Sequence, residues 1–175
     1  MHPLPNRRVL RLPGYDYSQS GYYFVTICIH ERQCFFGTVD NDAVCLSEAG
    51  TIAQTIWQSL PQRFQGIELD AYMIMPNHMH GILRLTGKQS ASNGQQDGGP
   101  GGISRSLRLG HVVRTFKGAT TYTIHKAGVS DFGWQHKYYE SIVRNEASLE
   151  RIRQYILTNP ARWQQDSLYI QQRPS

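Results

Sequence analysis

Apolar and polar positions alternate along the chain with two different periods. Gly21 to His30, Ile67 to Pro76 and His78 to Leu85 are rich in β-branched, aromatic or alternating apolar residues, which predicts three strands. Pro76-Asn77 is typical of a turn and predicts that the second strand leads directly into the third. Trp134 to Arg144 predicts a fourth strand.

Three other segments repeat apolar residues every three or four positions, the period of an amphipathic helix. They are Leu46 to Phe64, Leu107 to His125 and Ser148 to Trp163. The resulting order is β-α-β-β-α-β-α. We therefore expect an α+β fold, a ferredoxin-like sandwich whose helices pack on one side of a small antiparallel sheet.

The 175 residues suit a single domain, which we expect to span residues 21–165. Residues 1–20 mix prolines with arginines and predict an extended basic arm. Residues 87–102 are rich in Gly, Ser and Gln, which predicts a mobile loop within the domain. Residues 166–175 are expected to form a C-terminal tail.

Composition narrows the class of protein further. Eighteen Lys and Arg against thirteen Asp and Glu give a formal net charge of +5, which suits a polyanionic partner. The three cysteines form no metal or disulfide pattern, so we expect a reducing compartment, the cytoplasm, and no apolar run predicts a membrane span. Motifs for P-loop nucleotide binding, serine hydrolases and HExxH metalloproteases are absent from the sequence.

His78-Met79-His80 is the strongest local signal for chemistry. Residues i and i+2 of a strand point to the same face, so the two imidazoles can share one metal ion while Met79 packs beneath the helices. An HxH tripeptide is also common by chance. Two surface histidines on a half-exposed strand therefore remain the alternative interpretation.

Tyr155 is the second candidate, at the margin of the apolar face of the last predicted helix. Asn159 follows four residues later on nearly the same face, where its carboxamide oxygen can complete a metal site. Pro160 opposes this geometry, because a residue before proline is pushed out of the α region. The alternative for Tyr155 is a half-buried core residue with a solvated hydroxyl.

Basic residues form two groups, which are either a DNA-binding surface or simply solvated helix faces. One group recurs on the second predicted helix and the other surrounds the last strand and helix. With the N-terminal arm, the candidate DNA-binding residues are Arg7, Arg8, Arg11, Arg108, Arg114, Lys117, Arg144 and Arg151. Tyrosines between these cations can stack on unpaired bases.

Five blocks of the sequence resemble the REP-associated tyrosine transposases, relatives of the transposases of the smallest single-tyrosine insertion sequences. The blocks are RLPGYDY at residues 11–17, YFVTIC at 23–28, MPNHMHG at 75–81, VRTFK at 113–117 and YILTNP at 155–160. They follow the family's order over roughly residues 7–163. The MPNHMHG block followed by YILTNP is specific to this family.

The resemblance implies a ferredoxin-like HUH fold. It implies that His78 and His80 hold a divalent cation, Mg²⁺ or Mn²⁺, and that Tyr155 is the nucleophile. A polar residue one turn after the tyrosine is a third ligand in related enzymes, and Asn159 is its match here.

The expected function is therefore that of a single-strand DNA endonuclease and strand transferase. It would cleave and rejoin DNA beside REP-like hairpins through a 5′-phosphotyrosine, as a nucleoid-associated monomer or homodimer. Two alternatives remain: a hairpin-binding protein that does not cleave, and a small metal-dependent hydrolase that releases its product without a protein adduct.

Overall fold

A computed structural model of the chain describes residues 19–86 and 108–170. The strands are β1 (Gly21–Cys28), β2 (Gly37–Asp40), β3 (Ala43–Leu46), β4 (Ile67–Met75), β5 (His78–Leu85) and β6 (Tyr139–Val143). The helices are α1 (Glu48–Gln58), α2 (Leu60–Arg63), α3 (Leu109–Lys126) and α4 (Glu146–Leu157), with 3-10 segments at His30–Arg32 and Pro160–Gln165. The predicted α+β class is confirmed.

Four strands form one antiparallel sheet in the order β4-β5-β1-β6. The turn at Pro76-Asn77 joins β4 to β5 as predicted, and β1 pairs with β5 so that Cys28 lies opposite His78 and Thr26 opposite His80. The long central strands β1 and β5 therefore fix the position of both histidines.

The two faces of the sheet are covered by different helices. Val25 and Met79 lie in a large core cluster with residues of α1 and α3, whereas Phe24 and Ile82 lie in a second cluster with Leu149 and other residues of α4. The expectation that all helices pack on one side was therefore wrong. Apolar spacing shows that α4 buries a face but does not show which side of the sheet receives it.

A hairpin of β2 and β3 lies between β1 and α1 and was not predicted. Its turn residues Asn41 and Asp42 have φ values of 47° and 62°, the left-handed conformation of a tight hairpin turn that Asn and Asp tolerate. Each strand has only four residues, which is too short for alternation to stand out in the sequence.

Three predicted elements are shorter than expected. The first helical segment divides at Ser59, since α1 ends at Gln58 and Pro61 begins a new short turn. The fourth strand begins at Tyr139, because Trp134 leaves the sheet and makes only an isolated bridge to Ile29. The last helix, α4, ends at Leu157 rather than Trp163.

Gly81 lets α1 approach the histidine strand closely. A Cβ atom at this position would overlap the indole ring of Trp57, which is completely buried. The glycine that follows His80 therefore serves packing on the face opposite the histidines.

Several predicted features lie outside the described residues. They are the basic arm with Arg7, Arg8 and Arg11, the 87–102 loop, and residues 171–175 of the predicted tail. Within residues 19–86 and 108–170, no helix has both the length and the apolar character required to cross a membrane.

Candidate active site

His78 and His80 point to the same face of the sheet, as the alternation of β5 predicted. Their Nε2 atoms are 3.0 Å apart and their rings meet at a centroid distance of 4.5 Å. The side chains are buried, with 0% and 1% of their surface exposed, so the interpretation as two surface histidines is wrong. Two buried imidazole nitrogens at this separation need a proton or a cation between them.

The outer nitrogens of both rings have hydrogen-bond partners that fix the rings. Asn77 donates its Nδ2 to the Leu168 carbonyl at 2.8 Å, so its Oδ1 is the atom that faces His78 Nδ1 at 2.7 Å. Nδ1 of His78 must then carry the hydrogen, which leaves the lone pair on Nε2. His80 Nδ1 can donate in the same way to Thr26 Oγ1 at 2.8 Å. Such outer contacts commonly orient metal-binding histidines.

Tyr155 reaches the histidines from α4. Its hydroxyl lies 3.2 Å from His80 Nε2, and its ring contacts His80 at a centroid distance of 5.1 Å and Phe24 at 6.3 Å. The hydroxyl lies over the face of the sheet, because α4 packs across that face.

Asn159 also lies at the site, and the expected conflict with Pro160 does not occur. Asn159 keeps α-helical dihedral angles, φ −60° and ψ −40°, immediately before the 3-10 segment that Pro160 begins. Its Nδ2 donates to Asp166 Oδ2 at 3.0 Å. Its buried Oδ1 has no hydrogen-bond partner within the described part of the chain.

Asp166 is the site residue that the sequence analysis missed. Its Oδ2 lies 3.5 Å from the Tyr155 hydroxyl, and its Oδ1 accepts from the Leu168 amide at 2.7 Å. The sequence analysis assigned this residue to the tail. Nothing in the spacing of a single acidic residue in a polar segment indicates that a 3-10 turn brings it back to the sheet.

The donor set fits a divalent cation. Ligand atoms of His78, His80 and Asp166 all lie within 4.8 Å of one another. Two neutral imidazoles and one carboxylate form a mixed nitrogen and oxygen set of the kind that binds first-row divalent metals. The unpartnered Asn159 Oδ1 is a further oxygen donor beside this cluster. A carboxylate is the stronger ligand, so Asp166 is a better candidate than Asn159 for the third position.

An ion pair fixes α4 against β4 two residues before Tyr155. Arg153 donates Nε and Nη2 to the two carboxylate oxygens of Asp70 at 2.9 and 2.7 Å, and donates Nη1 to Glu146 at 3.3 Å. The hydrogen bonds from Arg153 lower the pKa of Asp70 despite the opposing effect of its burial. Arg153, one of the basic residues of the last helix, therefore helps to position that helix.

Replacing Asp70 with asparagine should loosen this position while preserving the shape of the side chain. A displacement of about 1 Å at a reacting group can lower a rate by about 100-fold, so we expect any activity at Tyr155 to fall between about tenfold and 100-fold. Glu68→Gln is the matched control, because Glu68 lies on the same strand and pairs with Arg84 at the surface. An equal loss in both variants would contradict the positioning role.

The same pair predicts a pH dependence of stability. The pKa of Asp70 is lower in the folded protein, so the pair stabilises the fold above the ordinary carboxyl pKa and loses this effect as the pH falls through the folded value. The wild type should therefore melt above Asp70→Asn at neutral pH. This difference should narrow below about pH 4, which thermal melts at several pH values can measure.

The five predicted DNA-binding residues that the structure describes are spread over two regions. Arg108 and Arg114 are exposed on or beside α3, and Lys117 lies half-buried on the same helix. Arg144 is exposed directly after β6, and Arg151 is exposed on α4. None of these five described residues lies in the cluster of His78, His80 and Asp166.

Comparison with known proteins supports one fold and one family. No protein-family model matches the chain. A protein of Haemophilus influenzae (strain ATCC 51907 / DSM 11121 / KW20 / Rd), described only as uncharacterized, is 34% identical over 178 residues, which cover 94% of each chain. The solved structure of a REP-associated tyrosine transposase bound to a REP hairpin matches with a TM-score of 0.56 and 19% identity, over 85% of this chain and 71% of the other. The chain thus belongs to one family with the Haemophilus influenzae protein and has the fold of the REP-associated tyrosine transposases.

Proposed function

We propose that the protein is a single-tyrosine DNA endonuclease and strand transferase that acts on single-stranded DNA beside a hairpin. The observation that carries the proposal is the position of the Tyr155 hydroxyl, 3.2 Å from His80 Nε2 and beside the cluster of His78, His80 and Asp166. A phenol at a candidate metal site is the arrangement that tyrosine attack on a phosphodiester requires.

His78, His80 and Asp166 would hold Mg²⁺ or Mn²⁺, with Asn159 as a further oxygen donor. The bound cation would supply positive charge next to the scissile phosphate, where negative charge increases in the transition state. The protein's own residues orient the rings through Asn77 and Thr26 and set the tyrosine over the sheet.

In the proposed step, the Tyr155 oxygen forms a bond to phosphorus and the bond from phosphorus to the 3′ oxygen breaks. A phenol has an ordinary pKa of about 10, so its proton needs an acceptor at neutral pH. The two histidine Nε2 atoms and the Asp166 carboxylate would be engaged as ligands, so the phenol proton passes to a solvent water. The leaving 3′ oxygen takes a proton from solvent, and the products are a 5′-phosphotyrosine and a free 3′-OH.

This linkage conserves the energy of the phosphodiester, so attack by a second 3′-OH would release the tyrosine and join two strands. DNA transposition or recombination needs this reversal, and no nucleotide cofactor is required for it. The similar solved structure is bound to a REP hairpin, which supports hairpin DNA as the partner. One chain supplies the histidines, the tyrosine and the carboxylate, so a monomer acting in the cytoplasm is sufficient for one cleavage.

Covalent capture tests the proposal. The full chain is incubated with Mn²⁺ and single-stranded oligonucleotides that carry the hairpins flanking its gene, and denaturing gels resolve any protein–DNA adduct. We expect an adduct that a chelator prevents. Tight binding without an adduct would indicate a hairpin-binding protein that does not cleave, and cleavage without an adduct would indicate a hydrolase.

Binding should depend steeply on salt. If about five basic side chains contact phosphates of a single strand, affinity should fall by about 100-fold between 50 and 200 mM salt. Fluorescence anisotropy of a labelled hairpin strand measures this slope. A blunt duplex of equal length should compete poorly, and equal competition would contradict the preference for single strands.

A further inference from the structure

A groove that the proposed cleavage step does not use runs along α3. Its second wall is the segment 133–138, which precedes β6, and its volume is about 760 Å³. Both walls carry cationic and aromatic side chains: Arg114, Lys117 and Tyr122 on the helix, and Trp134, His136 and Tyr138 on the segment. Among the described residues that line it there is no carboxylate. The groove is therefore suited to an anionic ligand with a flat apolar part.

Hydrogen bonds hold the second wall against the helix and the sheet. Lys117 donates Nζ to the carbonyl oxygens of Gln135 and His136 at 2.6 and 3.1 Å, and Trp134 Nε1 donates to the Lys117 carbonyl at 3.2 Å. The Gln135 amide donates to the carbonyl of Cys28, whose partner on β5 is His78. The groove is thus formed before any ligand binds, and it lies at the end of the sheet where the histidine strand begins.

The helix wall has a repeating arrangement. Arg114, Gly118 and Tyr122 are four residues apart, so they form one stripe along α3 with about 6 Å between neighbours. A Cβ atom built on Gly118 meets open space, and the Tyr122 side chain is unusually exposed for an aromatic residue, at 69%. Along the helix, the stripe therefore presents the guanidinium of Arg114, the uncovered backbone at Gly118 and the aromatic ring of Tyr122, in that order.

Arg114 is the main source of charge for a ligand in this groove. Burial lowers the pKa of Lys117, and its contacts to two carbonyl oxygens show that it also has a structural role. Arg114 is exposed on the helix, and the planar guanidinium has the geometry to donate two hydrogen bonds to one phosphate.

We propose that this groove binds an unpaired nucleotide of the substrate strand, with the base against Tyr122 and the phosphate at Arg114. The inference rests on the proposed function, since it assigns to the DNA substrate a second contact away from the cleavage site. Stacking on an exposed aromatic ring tolerates any base, so the groove would recognise single-strandedness rather than sequence. A base pair within a duplex has no free face to offer it.

Substitutions at Gly118 test the inference without changing any charge. Gly118→Leu would place an isobutyl group in the groove between Arg114 and Tyr122, whereas Gly118→Ala makes the same change of backbone freedom and leaves the groove open. We expect Gly118→Leu to weaken the binding of a mixed-sequence eight-nucleotide single strand by about tenfold, and Gly118→Ala by less than about twofold. Tyr122→Ala should match the leucine variant, and Tyr122→Phe should bind as the wild type does.

Anisotropy with three probes decides the outcome: the single strand, the same strand with abasic sites, and a hairpin stem without unpaired nucleotides. The loss in Gly118→Leu should appear with the first probe and be smaller with the other two. Unchanged binding in Gly118→Leu and Tyr122→Ala, or an equal loss with the stem, would overturn the inference. Covalent capture by the wild type is measured in a separate experiment. If the wild type forms an adduct but the Gly118 and Tyr122 variants bind the single strand as the wild type does, only the nucleotide-binding groove is refuted. If Gly118→Leu weakens binding but the wild type forms no adduct, only the cleavage proposal is refuted.

Discussion

Replacement of Tyr155 by phenylalanine should reduce covalent DNA capture below detection, by at least about 1,000-fold. The substitution removes only the hydroxyl that lies 3.2 Å from His80 Nε2, and without this oxygen no bond to phosphorus can form. The ring keeps its contacts with Phe24 and His80, so folding and hairpin binding should persist. We expect a stability change of about 1 kcal/mol, the usual value of one hydrogen bond.

Tyr139→Phe provides the matched control. Tyr139 also packs against Phe24, at a centroid distance of 6.1 Å, and it pairs with Thr26, which in turn pairs with His80. It therefore lies on the same face of the sheet as the histidines, with β1 between its strand and theirs. Adduct formation should survive in this variant, and mass spectrometry should locate the nucleotide on the Tyr155 peptide. An adduct on Tyr138 or Tyr139 would identify a different nucleophile.

The second large effect is expected at His78. His78→Ala removes a predicted ligand and should abolish both Mn²⁺ binding, measured by titration calorimetry, and covalent capture. Because the side chain is completely buried and pairs with Asn77, the substitution also leaves a buried acceptor unsatisfied, which costs about 1 to 3 kcal/mol. The buried position therefore predicts a measurable loss of stability in His78→Ala.

His30→Ala is the control for this experiment, because His30 has a side chain that is 66% exposed and lies outside the cluster. Calorimetry and thermal melts of both variants separate the loss of the metal from the loss of stability. Retention of Mn²⁺ affinity in His78→Ala would exclude the histidine pair as the metal site. Retention of capture in the presence of a chelator would exclude a role for any metal.

The histidines and the tyrosine could be predicted because each belongs to a regular element. Alternation along β5 places His78 and His80 on one face whatever the rest of the fold. The helical position of Tyr155 identified it as a residue at the margin of an apolar face. These inferences need only local geometry, and the structure preserves that geometry.

Asp166 and the placement of α4 could not be predicted, because they depend on contacts that are distant in sequence. Asp166 reaches the site through a 3-10 segment with no hydrophobic period, and the side of the sheet that α4 covers is fixed partly by the pair of Arg153 with Asp70, 83 positions apart. The role of Arg153 could not be predicted for the same reason. The sequence shows that the residue is a cation, but it does not show that Asp70, distant in the chain, is its partner.

The contribution of α4 and the following turn to the site also has a consequence for protein synthesis. The ribosome produces His78 and His80 with the hairpin of β4 and β5, whereas Tyr155, Asn159, Asp166 and the Leu168 carbonyl that orients Asn77 all come from the last part of the described chain. A nascent chain that has exposed only β1 to β5 therefore holds both imidazoles but lacks Tyr155 and Asp166. Under the proposed function, strand cleavage would therefore become possible only after the segment that carries Asp166 has left the ribosome.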